Sequence, residues 1–114
     1  EIVKIDAEHH VIPRSLVDEI IDSDVLFFKF GARIVPSVKD GQANGFKLYA
    51  IRPSSLWAKV GFSNGDTVQA LNGGALLDIE DALGAVDVVK AANRIEISII
   101  RRGKPVVLVI DIDP

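Results

Sequence analysis

The chain has 114 residues, a length that fits one domain able to bury roughly two-thirds of its unfolded surface. Its 48% hydrophobic and 25% charged residues are ordinary for a globular protein. A formal net charge of −3 argues against a general affinity for nucleic acid or anionic membrane, and the absence of cysteine excludes disulfides and thiolate zinc sites. No apolar run approaches the roughly 20 residues of a membrane helix. Because the first residue is Glu1 rather than Met, we expect a soluble fragment of a longer protein whose signal or anchor lies outside it.

The first thirty residues predict a small strand pair followed by a helix. Residues 2–5 and 10–12 are short apolar runs on either side of a polar turn. Residues 13–24 carry four apolar side chains on one helical stripe, namely Leu16, Val17, Ile20 and Ile21. Pro13 suits the first helical turn, where its missing N–H costs nothing. Residues 25–30 (VLFFKF) are expected to extend or follow the helix as an apolar connector.

Residues 32–51 predict two strands joined by a turn-rich loop. The first strand covers 32–38, the loop covers 39–45, and residues 46–51 alternate apolar and polar side chains as a half-buried strand does. Pro36 cannot donate a hydrogen bond to a strand ladder. We therefore expect the first strand to lie at a sheet edge or to carry a bulge.

Two Asn-Gly turns bracket the next strand. Residues 53–61 predict a short helix that ends at Gly61, and residues 67–71 predict a strand. Asn64-Gly65 would turn the chain into this strand, and Asn72-Gly73 would turn it out again. The glycine spacing matches neither of the nucleotide-binding motifs G-x-x-x-x-G-K-[ST] and G-x-G-x-x-G. We therefore interpret these glycines as turn residues.

The last third of the chain predicts a capped helix and a final strand pair. Asp78 is expected to cap a helix over residues 79–92, and strands follow over 94–100 and 106–112. The tip between these strands carries the basic cluster Arg101, Arg102 and Lys104. We expect this tip to be solvated, with contact to an acidic partner as the alternative. The whole pattern is typical of a small, mostly antiparallel α+β domain or a partly open barrel.

Residue patterns that support catalysis or metal binding are missing from the sequence. No serine lies in a Gly-x-Ser-x-Gly elbow, and the histidines, His9 and His10, have no neighbouring triad residues in a recognisable pattern. Adjacent strand residues point to opposite faces, so these two rings are poorly placed to share a metal ion. We therefore predict no enzyme activity, no metal site and no cofactor.

The segment IRPSSLWAKVGFSNGDTVQALNG, residues 51–73, resembles the central segment of bacterial PDZ domains. The matching residues are Pro53, Ser55, Ala58, Gly61, Phe62, Gly65, Asp66, Val68, Leu71, Asn72 and Gly73. The resemblance implies a PDZ-like, partly open β-barrel of five to six mostly antiparallel strands capped by two helices.

A longer stretch is similar to one particular group of PDZ domains. Residues 32–66, together with HHVIPRSLVDEII at 9–21, resemble the PDZ domain of the C component of the type II secretion system. In that family a short strand precedes a helix that begins Arg-Ser-Leu-Val-Asp, which corresponds to Arg14 to Asp18 here. Pro13 departs from the family pattern, which would place an acidic or polar helix cap at this position. The resemblance divides the chain into an N-terminal strand and helix extension, 1–30, and a PDZ domain, 31–114.

PDZ domains bind extended peptides by strand addition beside a helix. The resemblance therefore implies a groove between the strand at 32–38 and the helix at 79–92. The implied groove residues are Gly31, Ala32, Arg33, Ile34 and Val35 from the strand side and Ile79, Leu83 and Val86 from the helix. Pro36 removes one donor from this strand, so two uses stay open: capture of a free C-terminus, or docking of a secretion component or a folded exported protein.

The resemblance implies a non-catalytic interaction module of the type II secretion machinery. Such a module would help recruit or select exported proteins and would contact other secretion components, with the outer-membrane secretin as one candidate. The family would place it in the periplasm of a Gram-negative bacterium, on a protein anchored in the inner membrane. The alternatives are a regulatory PDZ module of a periplasmic or intramembrane protease and a stand-alone scaffold or metal-binding domain.

Overall fold

The computed structural model describes residues 2–22, 32–53 and 55–114. Within these residues the chain forms eight strands and three helices. The strands are β1 (Val3–Asp6), β2 (His9–Pro13), β3 (Arg33–Lys39), β4 (Gln42–Tyr49), β5 (Thr67–Leu71), β6 (Gly74–Ala75), β7 (Arg94–Arg101) and β8 (Lys104–Asp113). The helices are α1 (Arg14–Asp22), α2 (Leu56–Lys59) and α3 (Ile79–Ala91). The predicted fold class is confirmed as a mostly antiparallel α+β fold, whose strands form an open sheet and not a closed barrel. In the predicted division, β1, β2 and α1 would be the extension, and β3 to β8 with α2 and α3 would be the six strands and two helices.

The strands form one open sheet in the order β1-β2-β8-β7-β5-β4-β3, with β6 beside β5. Its strand pairs are antiparallel except for β2 and β8, which run parallel. The terminal strands of the sheet are β1 and β3. The extension therefore continues the sheet at one end, while the predicted groove strand lies at the other.

The edge position predicted from Pro36 is confirmed, and a bulge accompanies it. Pro36 stands opposite Phe46, but the register shifts just beyond, because Ser37 pairs with Gly45 and Val38 pairs with Ala43. The unpaired residue of β4 is Asn44, whose side-chain and backbone oxygens accept hydrogen bonds from Gln69 Nε2 at 2.8 and 3.3 Å. The Gln69 side chain thus ties the bulged residue of β4 to β5.

One hydrophobic core connects the extension to the rest of the chain. Ile12 of β2 and Val17 of α1 are buried in the same cluster as Leu48, Ile99 and Leu108, which lie in β4, β7 and β8. The packed core therefore does not stop at the predicted boundary near residue 30, although the division into two parts stays a prediction. The predicted connector at 25–30 lies outside the described residues.

The two Asn-Gly turns hold the strand between them through side-chain bonds as well as backbone geometry. Asn72 and Gly73 both have positive φ, 50° and 83°, as a tight turn between β5 and β6 requires. The Asn72 carboxamide accepts from Glu96 N at 2.7 Å and donates to Arg94 O at 3.2 Å, which ties this turn to β7. Asn64 Oδ1 accepts from Ile51 N at 2.8 Å and anchors the first turn.

Candidate partner-binding groove

Helix α3 begins at a well-made cap. Asp78 Oδ1 accepts a hydrogen bond from Asp81 N at 2.8 Å, and Asp81 Oδ2 accepts from Leu77 N at 3.0 Å. Two otherwise unpaired N–H groups are satisfied reciprocally, and the negative charges of Glu80 and Asp81 suit the positive end of the helix dipole. The cap predicted at Asp78 is confirmed. It fixes where the apolar side chains of the helix begin.

The predicted groove side of α3 is exposed. Ile79 keeps 69% and Leu83 48% of its surface accessible, and Val86 is half-buried. These residues are spaced by four and three positions and so share one face of the helix. The core contact is made elsewhere, by Val89, and none of the residues of α3 is fully buried. Ile79 and Leu83 therefore lie outside the core that the described residues form.

The strand side of the predicted groove lies on β3. Ala32, Ile34 and Val35 are half-buried, Arg33 is exposed, and Gly31 lies outside the described residues. Ile34 packs against the core and so holds β3 in place. Within the described residues, β4 alone pairs with β3, which leaves the second edge of β3 without a neighbouring strand. Helix α3 packs against α1 and β6. The prediction that β3 and α3 line one groove therefore stays a prediction.

The C-terminal end of α3 is held by the extension. Arg14, at the start of α1, donates to Ala92 O at 2.6 Å and to Lys90 O at 3.3 Å. These carbonyls have no partner within the helix, and a guanidinium at this end also suits the negative end of the helix dipole. In the sequence, Arg14 stands out only as the first residue of the Arg-Ser-Leu-Val-Asp helix start shared with the secretion-component PDZ domains. Nothing in the sequence signals that its partners lie more than seventy residues away, at Lys90 and Ala92.

The aspartate of the Asn-Gly-Asp turn forms a buried ion pair. Asp66 is only 1% exposed and accepts two hydrogen bonds from Arg101, at 2.9 and 2.7 Å, and a third from Ser63 N at 2.8 Å. Arg101 also donates to Gly61 O at 2.7 Å, and its bonds to Asp66 raise the pKa of its guanidinium. The prediction of a solvated basic tip is therefore wrong for Arg101, which binds the buried Asp66. Arg102 and Lys104 are exposed, as predicted.

A second charged cluster joins three strands near the surface. Asp111 of β8 accepts from Arg94 of β7 at 2.7 and 3.1 Å and from the His9 ring of β2 at 2.6 Å. The Arg94 bond, followed by the His9 bond, lowers the pKa of Asp111 from 3.8 to about 2. This cluster fastens the extension to the body of the sheet.

The adjacent histidines lie in different environments. His9 is half-buried at the cluster with Asp111, whereas His10 is buried and burial lowers the pKa of its ring. The Nδ1 atom of His10 has no hydrogen-bond partner within the described residues. No group of three or more metal-ligating side chains occurs in the described part of the chain. In residues 2–22, 32–53 and 55–114, none of the helices is long and apolar enough to cross a membrane.

Comparison with solved structures identifies the fold. The chain is similar to the PDZ domain of EpsC from Vibrio cholerae, residues 204–305, with a TM-score of 0.61, 18% identity, and 85% of this chain and 91% of that chain covered. It is also similar to the PDZ domain of the pullulanase C protein of the type II secretion system from Klebsiella pneumoniae, solved in complex with fatty acid. That match has a TM-score of 0.57 and 21% identity and covers 83% and 98% of the two chains. The chain therefore has the PDZ fold, and the solved domains that it resembles include those of the secretion component predicted from sequence.

Two EpsC fragments of different length match different shares of this chain. The shorter EpsC fragment, residues 219–305, covers 70% of this chain with a TM-score of 0.53, against 85% and 0.61 for the fragment that begins at 204. The longer fragment therefore matches a larger share of this chain, at a higher TM-score.

Sequence comparison gives a different relative. The chain is 30% identical over 105 residues to a protein of Rhizobium meliloti named "Probable periplasmic serine endoprotease DegP-like". The match covers 82% of this chain and 21% of that protein, so the chain spans about a fifth of the relative's length. No protein-family model matches the chain.

Proposed function

We propose that this chain is a non-catalytic protein-interaction module of a type II secretion machine. It binds an extended segment of another secretion component or of an exported protein, with the periplasmic part of the secretin as one candidate. The resemblance to the Vibrio and Klebsiella domains supports this assignment, since the Klebsiella domain comes from a protein of the type II secretion system. In this proposal the domain works in the periplasm, on a protein anchored in the inner membrane.

The exposed apolar stripe of α3 is the observation that carries the proposal. Ile79 and Leu83 leave 69% and 48% of their surfaces in water although neither is needed for the core. Covering such a stripe removes apolar surface from water, which favours association at about 25 cal/mol per Å². The free edge of β3 supplies backbone groups for the strand-addition mode that PDZ domains use. The groove residues proposed are those predicted from the sequence, Gly31 to Val35 with Ile79, Leu83 and Val86.

A pair of variants on one helix tests the groove. Leu83→Asp places a charge in the stripe, whereas Val88→Asp places the same charge at a similarly exposed site, 43% against 48%. The two positions lie about 140° apart around the helix at about 100° per residue. Immobilised wild-type chain should capture the purified periplasmic region of the secretin or a purified exported protein of the same bacterium. We expect Leu83→Asp to weaken the capture at least about tenfold and Val88→Asp to leave it unchanged.

Two outcomes would contradict the groove. Equal losses in both variants would mean that charge on α3 matters but the stripe does not. Retained capture by a folded Leu83→Asp variant would place the binding surface elsewhere. Circular dichroism of both variants separates these results from unfolding.

A second function has one specific observation in its favour. The Rhizobium protein that shares 30% identity over 82% of this chain carries the name of a periplasmic serine endoprotease. A regulatory PDZ module of such a protease would use the same groove to bind unfolded or C-terminal segments of substrates. The sequence that precedes residue 1 in the full-length protein discriminates the two functions. A serine protease domain there supports the protease, and a membrane helix followed by a small β-domain supports secretion.

A further inference from the structure

A concave surface lies where the extension meets the body of the domain. Among the described residues, the lining consists of Ile2, Lys4, Leu16 and Lys59. They come from the start of the chain, from β1, from α1 and from the end of α2. The cleft is open to solvent and has a volume of about 470 Å³, within the range of sites that bind small ligands or anchor side chains. We refer to these four residues as the N-terminal cleft.

The N-terminal cleft combines an apolar floor with two positive charges that have no ion-pair partner among the described residues. Ile2 and Leu16 are partly buried against the core and provide the floor. Lys4 and Lys59 are exposed, and neither forms an ion pair with any described residue. Lys4 also contributes to the lowered pKa of buried His10, after burial itself, as expected for a positive charge directed toward that ring.

Among the described residues, no strand pairs with the outer edge of β1, the strand that carries Lys4. β1 is a terminal strand of the sheet, paired with β2 on one side. Lys4 stands opposite His10 in that pair, so both side chains lie on the inner face, while Val3 is exposed on the outer face. An inward-pointing lysine on an edge strand opposes pairing with a second copy, because two like charges would meet. The edge and the charge together favour a partner strand that carries carboxylates.

We propose that the N-terminal cleft binds an extended acidic segment of a partner protein, running beside β1. On the segment's inner face a leucine-type side chain would lie on Ile2 and Leu16, and flanking carboxylates would meet Lys4 and Lys59. Residues two apart share a face of an extended segment, so the recognised pattern is acid-x-aliphatic-x-acid. This site is independent of the groove between β3 and α3 and takes a different class of peptide.

A blocked synthetic peptide tests the proposal without engaging a carboxylate-binding groove. The probe is the acetylated and amidated heptapeptide Thr-Glu-Thr-Leu-Thr-Glu-Thr, which has no free C-terminus. Titrated into ¹⁵N-labelled chain, it should shift the amide signals of Ile2, Lys4, Leu16 and Lys59. Replacing both Glu by Gln, or Leu by Ser, should weaken binding at least about tenfold, because either change removes one half of the complementarity.

Matched charge reversals complete the test. Lys4→Glu and Lys59→Glu should each weaken binding of the probe about tenfold, whereas Lys104→Glu at the exposed β7–β8 tip should not. An equal effect of Lys104→Glu would reduce the interaction to general charge attraction and overturn the proposal. So would shifts confined to α3 and β3, or no shifts at about 1 mM peptide. Concentration-dependent shifts of the same amides without peptide would identify a second copy as the occupant, which also overturns it.

Discussion

Two aspartates of this domain are each held by an arginine of β7, yet they stand in different surroundings. Asp66 is 1% exposed and its partner Arg101 is largely enclosed, whereas Asp111 is 30% exposed and its partner Arg94 lies mostly in water. The bonding geometry is similar, with two contacts from each guanidinium. The two pairs differ in how much water could solvate the remaining group if one partner were lost. The depth of a pair, more than its geometry, should therefore set how much the fold depends on it.

Asp66→Asn gives the largest expected effect. The change keeps the shape of the side chain but leaves the charge of Arg101 without its counter-ion in a site with little water. Breaking one partner of a buried pair typically costs about 3–5 kcal/mol, and we expect the low end because Arg101 keeps its bond to Gly61 O. Urea unfolding followed by tryptophan fluorescence measures the change. A loss as small as that of Asp111→Asn would contradict the role assigned to burial.

Arg14→Ala tests a third arginine, whose acceptors are backbone carbonyls. Removing the guanidinium leaves the last carbonyls of α3 to water and takes away a charge that suits the helix dipole. We expect a loss of about 1 kcal/mol, between the two aspartate variants. Amide hydrogen exchange should also speed up in the last turn of α3, near Lys90. Arg14→Lys, which keeps the charge but not the fork of donors, should recover part of the loss.

Asp111→Asn should cost less, about 0.5–1 kcal/mol, because water can solvate both groups that it leaves behind. The pH dependence follows from the same bonds. The pKa of Asp111 is lowered in the folded chain, from 3.8 to about 2, so its contribution is complete above the ordinary value and is lost as the pH falls through this window. Stability of the wild type and the Asp111→Asn variant should therefore converge between about pH 4 and pH 2. A gap that persists below pH 2 would show that the bonds do not depend on the charge of Asp111.

Local features of the fold could be predicted from the sequence, whereas the partners of Asp66 and Asp111 could not. Strands, turns and caps depend on neighbours in the chain, so Pro36 at the edge, the turn at Asn72-Gly73 and the cap at Asp78 were predictable from local chemistry. The stripe at Ile79 and Leu83 followed from helical spacing combined with the PDZ resemblance. Its exposure, which makes it a candidate site, required the structure.

The long-range polar contacts could not be predicted in this way. Arg101 lies in a basic run that is typical of a solvated tip, and its assignment to Asp66 depends on the pairing of β7 with β5. The bond from Arg14 to the end of α3 depends on a parallel pairing of β2 with β8, which no local pattern signals. Contacts between distant elements are set by topology, so only a family resemblance or a structure can supply them.

The smallest expected effect on stability belongs to the variant with the largest expected effect on binding. Leu83 is nearly half exposed, so replacing it with Asp removes little buried surface, and the free energy of unfolding should change by no more than about 0.5 kcal/mol. Val88→Asp should behave alike, since its exposure is similar. If Leu83→Asp instead cost as much as Asp66→Asn, Leu83 would be part of the core and the stripe could not be a binding surface. If the two variants are equally stable but only Leu83→Asp loses binding, the partner contacts the Leu83 face of α3, and the fold does not depend on that face.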